Sequence, residues 1–180
     1  MSQAITQSER FCKVLQQREG KYLTFTLGHE RYGLEIVKVR TIIGCKDMTS
    51  VSRTRSHVKG MINLRDQEIP VVDLRAEFGM QTTEVTERTC IIVVETIQSQ
   101  HNFSVGIIVD QVQEVVDIAG ENIQESTQSG ASVNTDYILG IGKIGAVVNI
   151  LLDIDKVLNG IDFCVSPSGQ TTKMTHPIDE

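Results

Sequence analysis

Tryptophan is absent from this 180-residue chain, and only 4% of the residues are aromatic. Lysine and arginine together number 17, against 23 aspartates and glutamates, which leaves a formal net charge of −6. Proteins that bind nucleic acid need clustered cations to contact phosphates, and those that bind single strands add aromatic side chains on which bases stack. The composition therefore argues against a nucleic-acid partner.

Long apolar runs, secretory signals and paired cysteines are also missing. No run approaches the roughly 18 apolar residues that a transmembrane helix needs, and the opening MSQAITQSER lacks a basic segment followed by an apolar one. The sequence thus predicts a cytoplasmic protein that does not insert directly into a membrane. The four cysteines form no C-x-x-C pair and the four histidines are dispersed, so neither a disulfide framework nor a metal site is predicted.

Recognisable catalytic motifs are missing as well. The chain contains no G-x-S-x-G and no G-x-x-x-x-G-K-[ST]. Residues 140–145 (GIGKIG) match G-x-G-x-x-G, but the following segment has the pattern of a strand instead of a long helix, which favours a turn. Asp73 and Asp153 each follow a strand and precede a short helical pattern, which favours helix capping over catalysis. We therefore expect no enzyme and no cofactor.

What the sequence does contain is a clear hairpin at residues 59–79 (KGMINLRDQEIPVVDLRAEFG). Two β-prone runs, MINL and IPVV, flank the polar residues 65–68. Pro70 lacks a backbone donor, which favours an edge strand or a strand start. Asp73 then predicts a helix N-cap, and Gly79 predicts the helix end.

The second half of the chain repeats the first. Residues 89–94 (TCIIVV) correspond to residues 22–27, and residues 105–112 correspond to residues 32–39 at an offset of 73. Residues 149–158 correspond to residues 69–78 at an offset of 80. Three blocks in the same order indicate an internal duplication. Each half has only about 70 residues, a size at which an isolated core is marginal, so we expect two small β-barrels that share apolar surface.

The ordered motifs YLTFTLG, YGLEIVKV, G-x-I-N-L-R, IPVVDLR, VGIIVDQV and ILLDIDKVL closely resemble the CheW family. The resemblance implies a mainly β fold of two packed five-stranded SH3/OB-like barrels with short helices and some exchange of strands. We expect a first barrel at about 21–80 and a second at about 88–158. Residues 1–20 are expected to form a leader, either a short helix or a weakly docked segment, and residues 161–180 a flexible tail. The hairpin tip at residues 98–102 is longer than the family needs.

The resemblance also implies a function. CheW proteins are non-enzymatic adaptors that couple the cytoplasmic helical tips of chemoreceptors to the histidine kinase CheA, in arrays at the inner face of the membrane. The receptor would bind in the groove between the barrels, and exposed strands would pair with the regulatory domain of CheA, without assigned residues. The implied receptor-binding residues, called the predicted surface below, are Val39, Thr41, Asn63, Leu64, Arg65, Asp66 and Val115.

Alternatives remain from the residues alone. Without the family, Arg65 would be a solvated turn charge and Val39 a core residue. Asp66 stands where the family usually has glycine, and Thr41 where it often has glutamate, so coupling to a particular receptor class is one expectation. An OB-like barrel that binds nucleic acid or oligosaccharide would share the fold, but it should show a basic or aromatic strand face.

Overall fold

The computed structural model describes residues 17–50, 58–81, 83–98, 100–126, 133–161 and 163. Within these ranges the chain forms twelve β-strands, two short α-helices and four 3₁₀ turns. The part of the leader where a helix was one option, and the expected tail from residue 164 onward, lie outside the described residues. No helix in the described ranges has both the length and the apolar character of a membrane span.

The bounds of the elements follow the predicted pattern of short strands. In chain order the strands are β1 (Gly20–Leu27), β2 (Glu30–Glu35), β3 (Val39–Gly44), β4 (Thr49–Ser50), β5 (Val58–Leu64), β6 (Gln67–Asp73), β7 (Cys90–Gln98), β8 (His101–Val109), β9 (Gln111–Ile118), β10 (Ile123–Gln124), β11 (Ile138–Ile144) and β12 (Val147–Leu152). Helix α1 (Leu74–Glu77) follows β6, and helix α2 (Ile154–Asn159) follows β12. Asp73 and Asp153 cap these helices, since their carboxylates accept the amides of Arg75 and Lys156.

Two sheets contain all of these strands. Sheet A has the order β10-β11-β12-β2-β1-β9, and sheet B has the order β3-β7-β8-β6-β5-β4. The prediction of a mainly β fold built from two packed β units with short helices is confirmed. Each sheet counts six strands instead of five because a two-residue strand, β10 or β4, joins five longer ones.

The two sheets divide the chain unequally. Sheet B takes β3 to β8, one continuous stretch of sequence, whereas sheet A combines β1 and β2 with β9 to β12. The chain therefore crosses between the sheets twice, first through the 3₁₀ turn Ile36–Lys38 and again at Asp110, between β8 and β9.

Reciprocal parallel pairings join the two halves of the sequence. Leu151 of β12 lies opposite Gly33 of β2, and Val71 of β6 lies opposite Gly106 of β8. The two glycines are counterparts in the duplication, and so are their partners. A Cβ atom would lie 2.8 Å from Leu151 Cδ2 at Gly33, and 2.8 Å from Ile91 Cγ2 at Gly106. Glycine at both positions allows side chains to pack directly against the strand backbone.

Strand β7 shows how the apolar core is divided. Ile92 and Val94 point into a central core between the sheets, whereas Ile91 and Val93 point into a small core within sheet B. Because both faces of β7 are buried, its apolar residues form a continuous run instead of an alternating pattern. The central core also includes Leu23, Phe25, Leu27, Tyr32, Leu34, Val72, Leu74, Val105, Ile107, Val109, Ile150, Leu152, Val157 and Leu158. A third core, within sheet A, contains Tyr22, Ile118, Ile123 and Leu151.

The central core extends past α2 into residues that were expected to belong to the tail. Ile161 is only 3% exposed and joins the central core. Phe163 packs against the same core, with its ring centroid 5.4 Å from that of Phe103. Apolar side chains at these two positions thus pack against the central core, and the expected flexible tail stays a prediction.

Candidate functional site

The tip of the β5–β6 hairpin presents the polar part of the predicted surface. Leu64 pairs with Gln67, so Arg65 and Asp66 alone form the turn. Their φ angles are 50° and 62°. Positive φ at both central residues is typical of a type I′ turn, which matches the twist of the flanking strands. Asp66 thus adopts a left-handed conformation that glycine accepts freely and that aspartate tolerates at a cost on the order of 1 kcal/mol.

The charges at this tip face solvent. Asn63, Arg65 and Asp66 are exposed, whereas Leu64 is half-buried against the small core of sheet B. Neither Arg65 nor Asp66 forms an ion pair with any residue that the structure describes. The carboxylate of Asp66 therefore leaves the guanidinium of Arg65 available to a partner.

Strand β3 carries the apolar part of the predicted surface. Val39 begins the strand, lies opposite Val94 and is half-buried against the central core. The register shifts between Val39 and Thr41, so Arg40 lies at an irregularity in the ladder. Such an irregularity changes the directions in which side chains point. Arg40 is exposed, and the Nη1 atom of its side chain donates a 2.6 Å hydrogen bond to Ser104 Oγ on β8.

A pocket lies between these two parts of the predicted surface. Its volume is about 450 Å³, and Arg40, Gln67, Glu68, Ile69, Glu95, Asn102, Phe103 and Ser104 line it. Arg40 lies between Val39 and Thr41 in the sequence, and Gln67 directly follows Asp66. Six of the seven residues of the predicted surface thus lie on sheet B or in its β5–β6 turn, and none of the six lines the pocket itself.

Val115 lies apart from the other six residues. It belongs to β9, the edge strand of sheet A, where it lies opposite Leu23 and is 50% exposed. The sequence reasoning also missed residues that line the pocket, including Arg40, Glu95 and Ser104. The one sequence signal for Glu95 and Ser104 is the long β7–β8 hairpin, because its extended strands carry these two residues as a cross-strand pair.

An ionic cluster around the buried Arg75 and Asp73, called the Arg75 cluster, also includes Thr83 and Asp110. The guanidinium of Arg75 donates to Asp73 Oδ1 and Oδ2 at 3.1 Å each and to Asp110 Oδ1 at 2.8 Å, and it also contacts the hydroxyl of Thr83. Burial alone would lower the pKa of Arg75, but Asp73 and then Asp110 raise the pKa above its usual value. Asp110 Oδ2 also accepts the Gly28 amide at 2.7 Å, so the cluster joins sheet B to the β1–β2 turn of sheet A.

A second cluster, the Asp155 cluster, consists of Lys38, Thr96 and Asp155. Lys38 Nζ lies 2.7 Å from Asp155 Oδ2, and the hydroxyl of Thr96 donates to Oδ1 at 2.6 Å. Burial alone would raise the pKa of Asp155, but the hydrogen bonds from Lys38 and Thr96 hold the pKa below its usual value. The cluster joins α2 to β7 and to the 3₁₀ turn Ile36–Lys38.

Metal-binding groups and the carboxylates at strand ends are two features on which a catalytic site could be built. The described residues contain no group of three or more His, Cys, Asp or Glu side chains that could hold a metal ion. The carboxylates that end strands act as helix caps, and Asp73 is engaged by Arg75 as well. What the arrangement presents is an exposed cation, a half-buried valine and a polar pocket.

Comparison with known proteins identifies the family of the chain. The model of the CheW-like domain matches residues 21–162. The chain is 37% identical over 139 residues to the chemotaxis protein CheW of Klebsiella aerogenes, covering 77% of this chain and 81% of the relative, and 28% identical over 137 residues to that of Treponema pallidum, covering 76% and 81%. The crystal structure of the scaffolding protein TtCheW from Thermoanaerobacter tengcongensis superposes with a TM-score of 0.69 at 29% identity, covering 81% of this chain and 92% of that one. These matches do not favour an OB-like nucleic-acid or oligosaccharide binder. The chain belongs to the CheW family of chemotaxis scaffold proteins.

Proposed function

We propose that this protein is a non-enzymatic adaptor that couples the cytoplasmic helical tips of chemoreceptors to the histidine kinase CheA. The observation that carries the proposal is the exposed Arg65 at the β5–β6 tip, which has no ion-pair partner among the described residues and lies on the same sheet as the half-buried Val39. Membership of the CheW family supplies the class of partner. The protein would work in the cytoplasm, held near the inner face of the membrane by its receptors.

The predicted surface suits a helical partner. An amphipathic helix binds when its apolar face contacts an apolar groove and a flanking charge fixes its orientation. Val39 and Leu64 offer half-buried apolar contacts, and Arg65 offers the cation. Thr41, Asn63 and Asp66 surround these contacts on sheet B, while Val115 would extend the surface onto sheet A.

The kinase would contact an edge strand. The two sheets end in β3 and β4 on sheet B and in β9 and β10 on sheet A. Edge strands offer unpaired backbone groups to a partner strand. Ile42 on β3 is 41% exposed and adds apolar surface beside such an edge. We infer that the regulatory domain of CheA pairs with one of these edges, away from the β5–β6 tip.

Charge reversal at the tip tests the receptor assignment. Arg65→Glu exchanges one exposed charge for another, so the free energy of unfolding should change by no more than about 0.5 kcal/mol. Affinity for a soluble receptor hairpin should fall several-fold or more, because an interface cation is reversed against its partner. Arg88→Glu makes the same exchange at an exposed position before β7 and should leave receptor binding unchanged.

Val39→Asp tests the apolar part of the same surface. The substitution places an unpaired charge where a helix would dock, and it should abolish receptor binding. Val85→Asp makes the same exchange at an exposed valine between α1 and β7, and because Val39 is half-buried, a thermal melt of Val39→Asp is needed to show that it is folded. Binding of the CheA regulatory domain is measured in parallel for every variant. Folded Arg65→Glu protein that binds the receptor normally would refute the assignment, and wild-type protein that binds neither partner would refute the function.

A further inference from the structure

The pocket beside the β5–β6 tip is the open end of the small core of sheet B. Val93 pairs with Gly106 on β7 and β8, and two residues along the ladder Glu95 pairs with Ser104. Because side chains alternate between the faces of a strand, the alternation that directs Val93 into the small core directs Glu95 to the end of that core. Ile69 closes the pocket from below, since it is buried in the same core.

The charges in this pocket do not balance. Glu68 and Glu95 bring two carboxylates, and neither has an ion-pair partner in the described part of the chain. Arg40 brings one cation, but its Nη1 is hydrogen-bonded to Ser104 on the β8 side. The pocket thus has an excess of one negative charge, with the amides of Gln67 and Asn102 as further polar groups. A volume of about 450 Å³ is within the range of protein pockets that bind small groups.

We propose that this pocket binds a basic side chain, an arginine or a lysine, from the partner segment that docks on the β5–β6 tip. The aliphatic stem would lie over Ile69 and Phe103, and the charged head group would lie between Glu68 and Glu95. This inference rests on the proposed function, because the segment it assigns is the receptor hairpin. It makes the pocket a selectivity site that favours receptors with a basic residue beside the helix contact.

A small probe tests the pocket without any receptor. N-acetyl-arginine amide is titrated into the full-length protein, and backbone amide shifts are followed by ¹H–¹⁵N NMR. Saturable shifts are expected at Gln67, Glu95 and Ser104, with a dissociation constant on the order of millimolar, as a single partly exposed charge contact gives. The uncharged N-acetyl-norleucine amide should cause none. In the double variant E68Q/E95Q the arginine response should disappear, whereas in E84Q/E87Q, which removes two exposed carboxylates outside the pocket, it should persist.

The receptor hairpin provides the second arm of the test. E68Q/E95Q should bind a soluble chemoreceptor hairpin with a basic tip residue about four- to twenty-five-fold more weakly than the wild type, or about two- to five-fold for each carboxylate. E84Q/E87Q should bind like the wild type. Neutralising the basic residue of the hairpin should cause the same loss in the wild type and no further loss in E68Q/E95Q.

The outcomes separate the two proposals. An absent arginine response, or one that persists in E68Q/E95Q, overturns the pocket assignment. Equal hairpin binding by wild type and E68Q/E95Q also overturns it and leaves the adaptor function standing. A hairpin that fails to bind the wild type, while the arginine probe still binds, overturns the adaptor function and the assigned partner but supports the preference of the pocket for cations.

Discussion

Replacing Arg75 by methionine should strongly destabilise the protein. The side chain of Arg75 is buried, and it is the cation that neutralises Asp73 and Asp110 in the Arg75 cluster. Methionine keeps the length and apolar character of the stem but removes every hydrogen bond of the guanidinium. Asp73, only 3% exposed, would then carry a buried carboxylate without a cation.

The size of the effect follows from this burial. Removing one partner of a buried ion pair typically costs about 3–5 kcal/mol, because the remaining charge is left uncompensated. For a chain of this length each kcal/mol lowers the melting temperature by roughly 2–4 °C, so Arg75→Met should melt about 6–20 °C lower. Urea unfolding with an unchanged m-value would show that stability, and not the compactness of the unfolded state, has changed.

Two comparisons isolate the cause. Lys156→Met removes a lysine that is 63% exposed and 3.9 Å from Asp153, and it should change stability by less than about 0.5 kcal/mol. Adding Asp73→Asn and Asp110→Asn to Arg75→Met should restore part of the loss, because asparagine still caps α1 but carries no charge. Arg75→Met protein within about 1 kcal/mol of the wild type would refute the reasoning.

Three further substitutions test other parts of the structure. Asn149→Val should raise the melting temperature by a few degrees in a thermal scan, because the Oδ1 atom of Asn149 is buried without a hydrogen-bond partner in the described part of the chain. The residue that corresponds to Asn149 in the duplication is the apolar Ile69, and unchanged or lower stability of the variant would contradict the prediction. Asp155→Asn should cost about 1 kcal/mol near neutral pH, after allowance for the partial exposure of the side chain. The pKa of Asp155 is lowered in the folded state, so its ionised carboxylate stabilises the protein above the ordinary pKa of 3.8, and this stabilisation is lost as the pH falls below that value. Urea unfolding measured across that pH range should therefore show the stability of Asp155→Asn approaching that of the wild type in acid. Ile161→Ala should cost about 2–4 kcal/mol by urea unfolding, and a loss below about 0.5 kcal/mol would show that the segment after α2 does not dock.

Local features of the fold could be predicted from the sequence because their causes are local. The β5–β6 hairpin follows from two β-prone runs around a short polar turn, and both helix caps follow from aspartate ahead of an apolar turn. The duplication is visible because matched positions have matched burial in both sheets. The docking of Ile161 was missed because two apolar residues in a polar tail give no periodic signal.

The assignment of strands to sheets could not be predicted in the same way. An offset of 73 or 80 shows which segments resemble each other, but not which strands lie side by side. The Arg75 cluster depends on Asp110, which is 35 residues away in the sequence. The pocket is lined by β3, β6, β7 and β8, so its composition becomes visible only when the four strands are placed together. Of the candidate site, the family resemblance supplied the seven residues of the predicted surface, which stay a prediction, but none of the residues that line the pocket.

The continuous course of sheet B has a consequence for synthesis on the ribosome. All strands of sheet B have been made once Val109 is added, whereas sheet A needs Leu152. The 117 residues from the end of β2 at Glu35 to Leu152 take roughly 6–23 s at translation rates of about 5–20 residues per second, and β1 and β2 wait that long for the strands that complete their sheet. During that interval the hairpin exposes Phe25 and Leu34, which are buried in the finished protein. The newly made chain should therefore be most prone to chaperone capture after β2 and before β12 has been made, and least prone once β12 has closed sheet A.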